Sequence, residues 1–133
     1  MFVENYDLIH ILELVKDAET IAIAGHVNPD GDCIGSTLAV YNYLKHTGKT
    51  IDVYLEPIGR EFKELPGSDV IKNKAENKVY DVFFMMDLGD TERIGVASKL
   101  FETAKKTICI DHHITSKGVA DENFILPKLS STC

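Results

Sequence analysis

Two kinds of hydrophobic pattern alternate along this chain, and their order predicts the fold. Leu8, Ile11, Leu12 and Val15 recur at i, i+3, i+4 and i+7, which predicts an amphipathic helix over about residues 5–17. His10 falls off that stripe and is expected in solvent. Thr20-Ile21-Ala22-Ile23-Ala24 is instead a continuous apolar run stopped by Gly25, as in a parallel strand covered on both faces. Ile34, Leu38, Tyr41 and Leu44 return to helical spacing, with Gly48 as the expected stop. Thr50 to Leu55 reads as a strand, Val82-Phe83-Phe84-Met85-Met86 as a central strand, and Thr107-Ile108-Cys109-Ile110 as another. Ile94 to Ala104 is expected to be helical. Glu56 to Lys78 holds Pro57, Gly59, Pro66 and Gly67 among many charges, so it reads as a connection with room for a short helix. The residues after His113 are weakly patterned.

Strands alternating with helices predict an α/β fold with a doubly wound, mainly parallel sheet flanked by helices. At 133 residues, the chain suits one domain. A hydrophobic fraction of 44% and a charged fraction of 26% exclude collagen-like, coiled-coil and largely disordered chains. No apolar run is long enough to cross a bilayer, and Met1-Phe2-Val3-Glu4-Asn5 lacks the basic and apolar blocks of a secretory signal. A cytoplasmic protein without a membrane partner is therefore expected. Cys33, Cys109 and Cys133 are odd in number and lack CxxC spacing, so they read as reduced thiols.

In a doubly wound sheet ligands bind beyond the carboxyl ends of the strands, and three predicted strand ends here carry polar clusters. They are His26-x-x-x-Asp30-x-Asp32, Asp87-x-x-Asp90 and Asp111-His112-His113. Each has a bland explanation. Asn28-Pro29-Asp30-Gly31 is a good β-turn, Asp32 a good helix N-cap, Asp87 a solvated strand end, and the two histidines a surface loop. Together they converge on one rim, where imidazoles and carboxylates could hold a metal beside a helix N-terminus that favours phosphate. The formal charge of −7 disfavours a broad nucleic-acid surface, but bound cations would reverse the local sign. The loop after the first strand lacks GxGxxG, which argues against a dinucleotide-binding oxidoreductase. Cys33 lies beside two carboxylates and Cys109 inside a strand, so neither is a candidate nucleophile.

Gly-His-Val-Asn-Pro-Asp-Gly-Asp at 25–32, Met-Asp-Leu-Gly-Asp at 86–90 and Asp-His-His at 111–113 resemble the first three motifs of the DHH phosphoesterase family, over about Thr20 to Cys133. The form Asp-x-Gly-Asp-x-x-Arg-Ile-Gly at 87–95 is most similar to the branch of nano-RNases that also dephosphorylate pAp. The resemblance implies a metal-dependent phosphohydrolase of short oligoribonucleotides or pAp, using two divalent ions, Mn²⁺ above others. Other branches are single-strand exonucleases, cyclic dinucleotide phosphodiesterases, exopolyphosphatases and pyrophosphatases.

By that resemblance His26 and Asp30 would bind one ion, Asp32 and His112 the other, and Asp87 would bridge them. His113 would meet the substrate phosphate, with Asp111 orienting the histidines. Asp90, Arg93 and Ser36 would contact substrate or support the ligands. Family members carry a further metal-binding aspartate after the Ser-Ser-Thr segment and then a C-terminal substrate-binding domain, neither of which is in residues 1–133. The resemblance therefore implies the N-terminal portion of a longer phosphoesterase. Such a portion is expected to bind metal with one site weakened, to turn over substrate poorly, and to self-associate through an exposed apolar patch. A non-catalytic metal- or nucleotide-binding module is the alternative.

Overall fold

A computed structural model describes residues 8–133. Helix α1 (Leu8–Val15) leads into β1 (Thr20–Ala24), α2 (Gly31–Leu44), β2 (Thr50–Tyr54), the short β3 (Ile71–Lys72), β4 (Val82–Met86), α3 (Ser98–Thr103), β5 (Lys106–Asp111) and β6 (Glu122–Ile125). The six strands form one sheet in the order β3-β2-β1-β4-β5-β6, and every pairing is parallel. From β1 the chain winds outward through β2 and β3, then returns to place β4 on the other side of β1. This puts the topological switch point between β1 and β4.

Residues alternate between the two faces of each strand, and both faces are buried. Ile21, Ile23, Val82, Phe84, Met86, Ile108 and Ile110 pack on one face with Ile11, Val15 and Leu44 from α1 and α2. Ala22, Ala24, Phe83, Met85 and Cys109 pack on the other with Ile94, Ala97 and Leu100. The three apolar runs of the sequence are thus the three central strands, covered on both sides.

Several expectations need correction. Residues 5–7 of the first expected helix lie outside the described residues. Of its stripe, Ile11 and Val15 are buried but Leu12 is exposed, and Leu14 packs partly against the core instead. His10 is half-buried, with its ring 6.0 Å from that of Phe124, because β6 extends the sheet beneath α1. The weakly patterned tail contains that strand. Its Asn123 is fully buried, donating to the carbonyls of Gly118 and Ala120 and accepting from Ala120 N. The expected helix from Ile94 to Ala104 is broken: 3₁₀ turns occupy Thr91–Arg93 and Gly95–Ala97 before α3 begins. Gly95 has φ +74°, outside helical geometry, and a Cβ there would meet Val27 Cγ1 at 2.8 Å. The connection of 56–78 holds two 3₁₀ turns and β3.

Candidate metal centre

The loop after β1 turns tightly at Gly25, where a Cβ would lie 2.2 Å from Cys33 Sγ and 2.9 Å from Leu55 Cδ2. Only glycine lets the backbone pass this close to α2. His26 follows and is buried, its Nδ1–H donating to the Val27 carbonyl at 2.7 Å, so that Nε2 faces the rim. The chain reverses through Asn28 at φ +51°, and Asp30 caps α2 by accepting from Cys33 N at 2.9 Å. The bland reading of Asp32 as the cap does not hold. Because the helix starts at Gly31, Asp32 falls in its first turn and its carboxylate instead receives Thr132 N at 2.9 Å and Cys133 N at 2.8 Å.

Asp87 directly follows β4 with φ +59°, a left-handed conformation that Asp tolerates better than most residues. The turn aims its carboxylate across the switch point, and the residue is 1% exposed. One oxygen, Oδ2, lies 3.4 Å from His26 Nε2, and the other, Oδ1, lies 3.5 Å from His112 Nε2. Thr132 Oγ1 donates to Oδ1 at 2.8 Å. Asp30 Oδ1 stands 3.7 Å from His26 Nε2, and Asp32 Oδ2 stands 3.3 Å from His112 Nε2. The five residues therefore divide into a His26–Asp30 side and a His112–Asp32 side, with Asp87 between them.

Asp111, the last residue of β5, is buried and supports the histidine pair from below. Its Oδ1 accepts from His113 Nδ1 at 2.6 Å and from His112 N at 2.8 Å. That bond leaves His113 Nε2 unclaimed on a ring that is 41% exposed. Asp111 Oδ2 is buried without a hydrogen-bond partner. His112 Nδ1 is 3.2 Å from the Leu129 carbonyl, which again leaves Nε2 facing the carboxylates.

The arrangement concentrates negative charge that only the imidazoles are placed to relieve. Among the described residues no lysine or arginine pairs with Asp30, Asp32 or Asp87. A buried carboxylate lacking a compensating charge costs several kcal/mol, on the order of a buried ion's desolvation. The Asp87 carboxylate accordingly pushes His26 up to about 10, helped by the Cys33 thiol and resisted by burial. Burial raises the Asp32 carboxyl, but the Thr132 and Cys133 N–H groups outweigh it and hold the group below its ordinary range. His26, Cys33 and Asp87, and likewise Asp87, His112 and His113, each bring ligand atoms within 4.8 Å of one another, close enough to hold a divalent cation.

Three expected site residues stand apart from this cluster. Asp90 receives Glu92 N at 2.9 Å and pairs with Lys117 Nζ at 2.9 Å, so its oxygens are engaged outside the ligand set. Arg93 is exposed on the wall of a cavity of about 190 Å³ that it shares with His113, Ser116 and Lys117. Its carbonyl accepts from Val27 N at 2.7 Å, which ties the β4 loop to the β1 loop. Ser36 is buried, donates to the Cys33 carbonyl at 3.3 Å, and lines an apolar groove of about 410 Å³ with Ile11, Val40 and Thr132. Thr132, which reaches Asp87 from 45 residues away, was missed altogether. A small polar residue in an unpatterned stretch carries no periodic signal.

Residues 20–133 match the family described as DHH family, N-terminal domain. The chain belongs to the DHH family. It is 31% identical over 125 residues to the bifunctional oligoribonuclease and PAP phosphatase NrnA of Thermus thermophilus, spanning 92% of this chain and 37% of that protein. It is 26% identical over 137 residues to an uncharacterized protein of Mycoplasma genitalium, spanning 98% of this chain and 39% of that one. A crystal structure of an exopolyphosphatase-related protein from Bacteroides fragilis superposes with a TM-score of 0.81 at 27% identity, covering 93% of this chain and 39% of that one. The DHH chain described here thus spans about two-fifths of the length of these relatives. Its all-parallel α/β sheet is the fold that this likeness shows. No helix of the described residues is long and apolar enough to cross a membrane.

Proposed function

We propose that this DHH phosphoesterase domain hydrolyses phosphate esters of short oligoribonucleotides or pAp with two divalent cations, Mn²⁺ by preference. The observation that carries the reading is the Asp87 carboxylate, buried with one oxygen toward His26 and the other toward His112. A bridging carboxylate between two imidazole-and-carboxylate sets is what a paired-cation centre requires. His26 and Asp30 would hold one ion and His112 and Asp32 the other, with Thr132 fixing the Asp87 carboxylate between them. Such a pair, when bound, lowers the pKa of water and neutralises the phosphate during in-line displacement.

The remaining steps belong to the side chains. Asp111 fixes the His113 ring through Nδ1 and leaves Nε2 to meet a phosphate oxygen. Its buried, unpartnered Oδ2 is an acceptor held in reserve beside the two histidines. Arg93 adds positive charge along the cavity next to His113, where Lys117 is paired with Asp90. Support for the nucleotide substrate is the similarity to the bifunctional oligoribonuclease and PAP phosphatase. The greater length of the relatives is where we place further substrate contacts, this chain acting as the N-terminal part of the catalytic unit. Cytoplasmic residence accords with the three unpaired cysteines.

The test is phosphate release from pAp, and cleavage of a short oligoribonucleotide, with Mn²⁺ present and then chelated. Hydrolysis that needs the cation and disappears in Asp87→Asn is expected. Cation and nucleotide binding with no hydrolysis would replace this reading with that of a non-catalytic binding module.

A further inference from the structure

One more ligating atom reaches this cluster. Cys33, in the first turn of α2, is fully buried, and its sulfur lies with His26 and Asp87 ligand atoms inside 4.8 Å. The sulfur sits against the loop that carries His26, since a Cβ on Gly25 would be only 2.2 Å from it. Thr37 Oγ1, also fully buried and without a hydrogen-bond partner among the described residues, lies 3.3 Å from the same point. Beside the sulfur, the Thr37 hydroxyl is therefore both buried and unsatisfied.

The donors that converge here are one nitrogen, one sulfur and one carboxylate, from His26, Cys33 and Asp87, with the Asp30 carboxylate 3.7 Å from His26 Nε2. Mixed donors of that kind suit Zn²⁺ and other thiophilic ions, whereas Mn²⁺ prefers oxygen and imidazole. The His112–Asp32 side differs. Its sulfur, on Cys133, is exposed and contacts the Asp32 backbone carbonyl at 3.4 Å.

We propose that Cys33 is a conditional ligand: it binds a thiophilic cation on the His26 side, while Mn²⁺ there is held by His26, Asp30 and Asp87 alone. The inference rests on the reading that this cluster binds divalent cations. Coordination forms one metal–sulfur bond and releases the thiol proton to solvent, with no change of oxidation state. Its consequence is an asymmetric centre, in which Zn²⁺ or Cd²⁺ displaces Mn²⁺ from one side in preference to the other.

Cd²⁺ titration of the intact chain, read by the ultraviolet sulfur-to-cadmium charge-transfer band, tests this without relying on activity. One thiolate's worth of absorbance is expected in the wild type and in Cys133→Ser, and none in Cys33→Ser. Cys33→Ser should weaken Cd²⁺ binding by roughly 10- to 100-fold while changing Mn²⁺ affinity by less than about threefold. A band that survives in Cys33→Ser, or Cd²⁺ bound without a band, overturns the proposal and leaves the cation centre standing. Equal losses of Cd²⁺ and Mn²⁺ in Cys33→Ser would make Cys33 a packing residue. Binding of neither ion by the folded wild type overturns both this inference and the reading beneath it.

Discussion

In the metal-free chain the Asp87 carboxylate 3.4 Å away favours a proton on His26 Nε2, and that proton must leave before the nitrogen can ligate. With this carboxylate the largest cause, ahead of Cys33 and against burial, His26 rises from 6.5 to about 10, which corresponds to roughly 4 to 5 kcal/mol of preference for the protonated ring. Coulomb attraction at this separation with an effective dielectric near 20 is of the same order, about 4 to 5 kcal/mol. Cation affinity on the His26 side should therefore rise about tenfold per pH unit across neutrality, with about one proton released per ion. The stability of the metal-free chain runs the opposite way. A raised folded-state pKa adds stability that is fully present below 6.5 and is lost as pH climbs through about 10. Calorimetric Mn²⁺ titrations in two buffers of different ionisation enthalpy, at about pH 7 and 8.5, count the protons, and denaturant melts of the metal-free chain follow the stability. Affinity that is flat with pH, with no proton released, would mean that His26 does not give up a proton to the cation. In Asp87→Asn the His26 ring loses its main partner, so any remaining binding should lose most of this pH dependence above about 7.

Gly25→Ala places a Cβ against Cys33 and Leu55, so a loss of about 1 to 3 kcal/mol in denaturant melts is expected, with weaker Mn²⁺ binding. An unchanged midpoint would show that the loop has slack. Thr132→Val removes the donor to Asp87 and should lower Mn²⁺ affinity on the order of 10-fold, measured by calorimetry on a chain whose circular dichroism is unaltered. Away from the centre, burial raises the Asp52 carboxyl, but Lys78, Tyr80 and Lys72 outweigh it and hold it below its ordinary range. Its stabilisation is thus present at neutral pH and disappears as pH falls through that lowered pKa. Asp52→Asn should be less stable than the wild type at about pH 7 and should converge with it in acid, which melts across that range would show.

Strands β1, β4 and β5 were legible because a parallel strand buried on both faces has no polar alternation to hide it. Their order in the chain also placed His26, Asp87 and Asp111 on a common rim, which is why three short motifs could be read as one site. Strand β6 was not legible, since Asn123 is buried by satisfying its own loop's carbonyls and reads in sequence as a turn residue. The helix expected from Ile94 failed at Gly95, where close approach to Val27 outweighs the apolar spacing. Choosing between Asp30 and Asp32 as the cap needed the helix start to within one residue, finer than patterning gives. Thr132 and Cys33 enter the centre through contacts that only the folded chain creates.

In the proposed function Asp87 joins two cation positions into one centre. Counting Mn²⁺ ions bound per chain by calorimetry, on the wild type and on Asp87→Asn confirmed as folded, tests it most directly. Two ions in the wild type, both lost or severely weakened by the one substitution, is the predicted result. An Asp87→Asn chain that still binds two ions with wild-type affinity, or a folded wild type that binds none, would contradict the account.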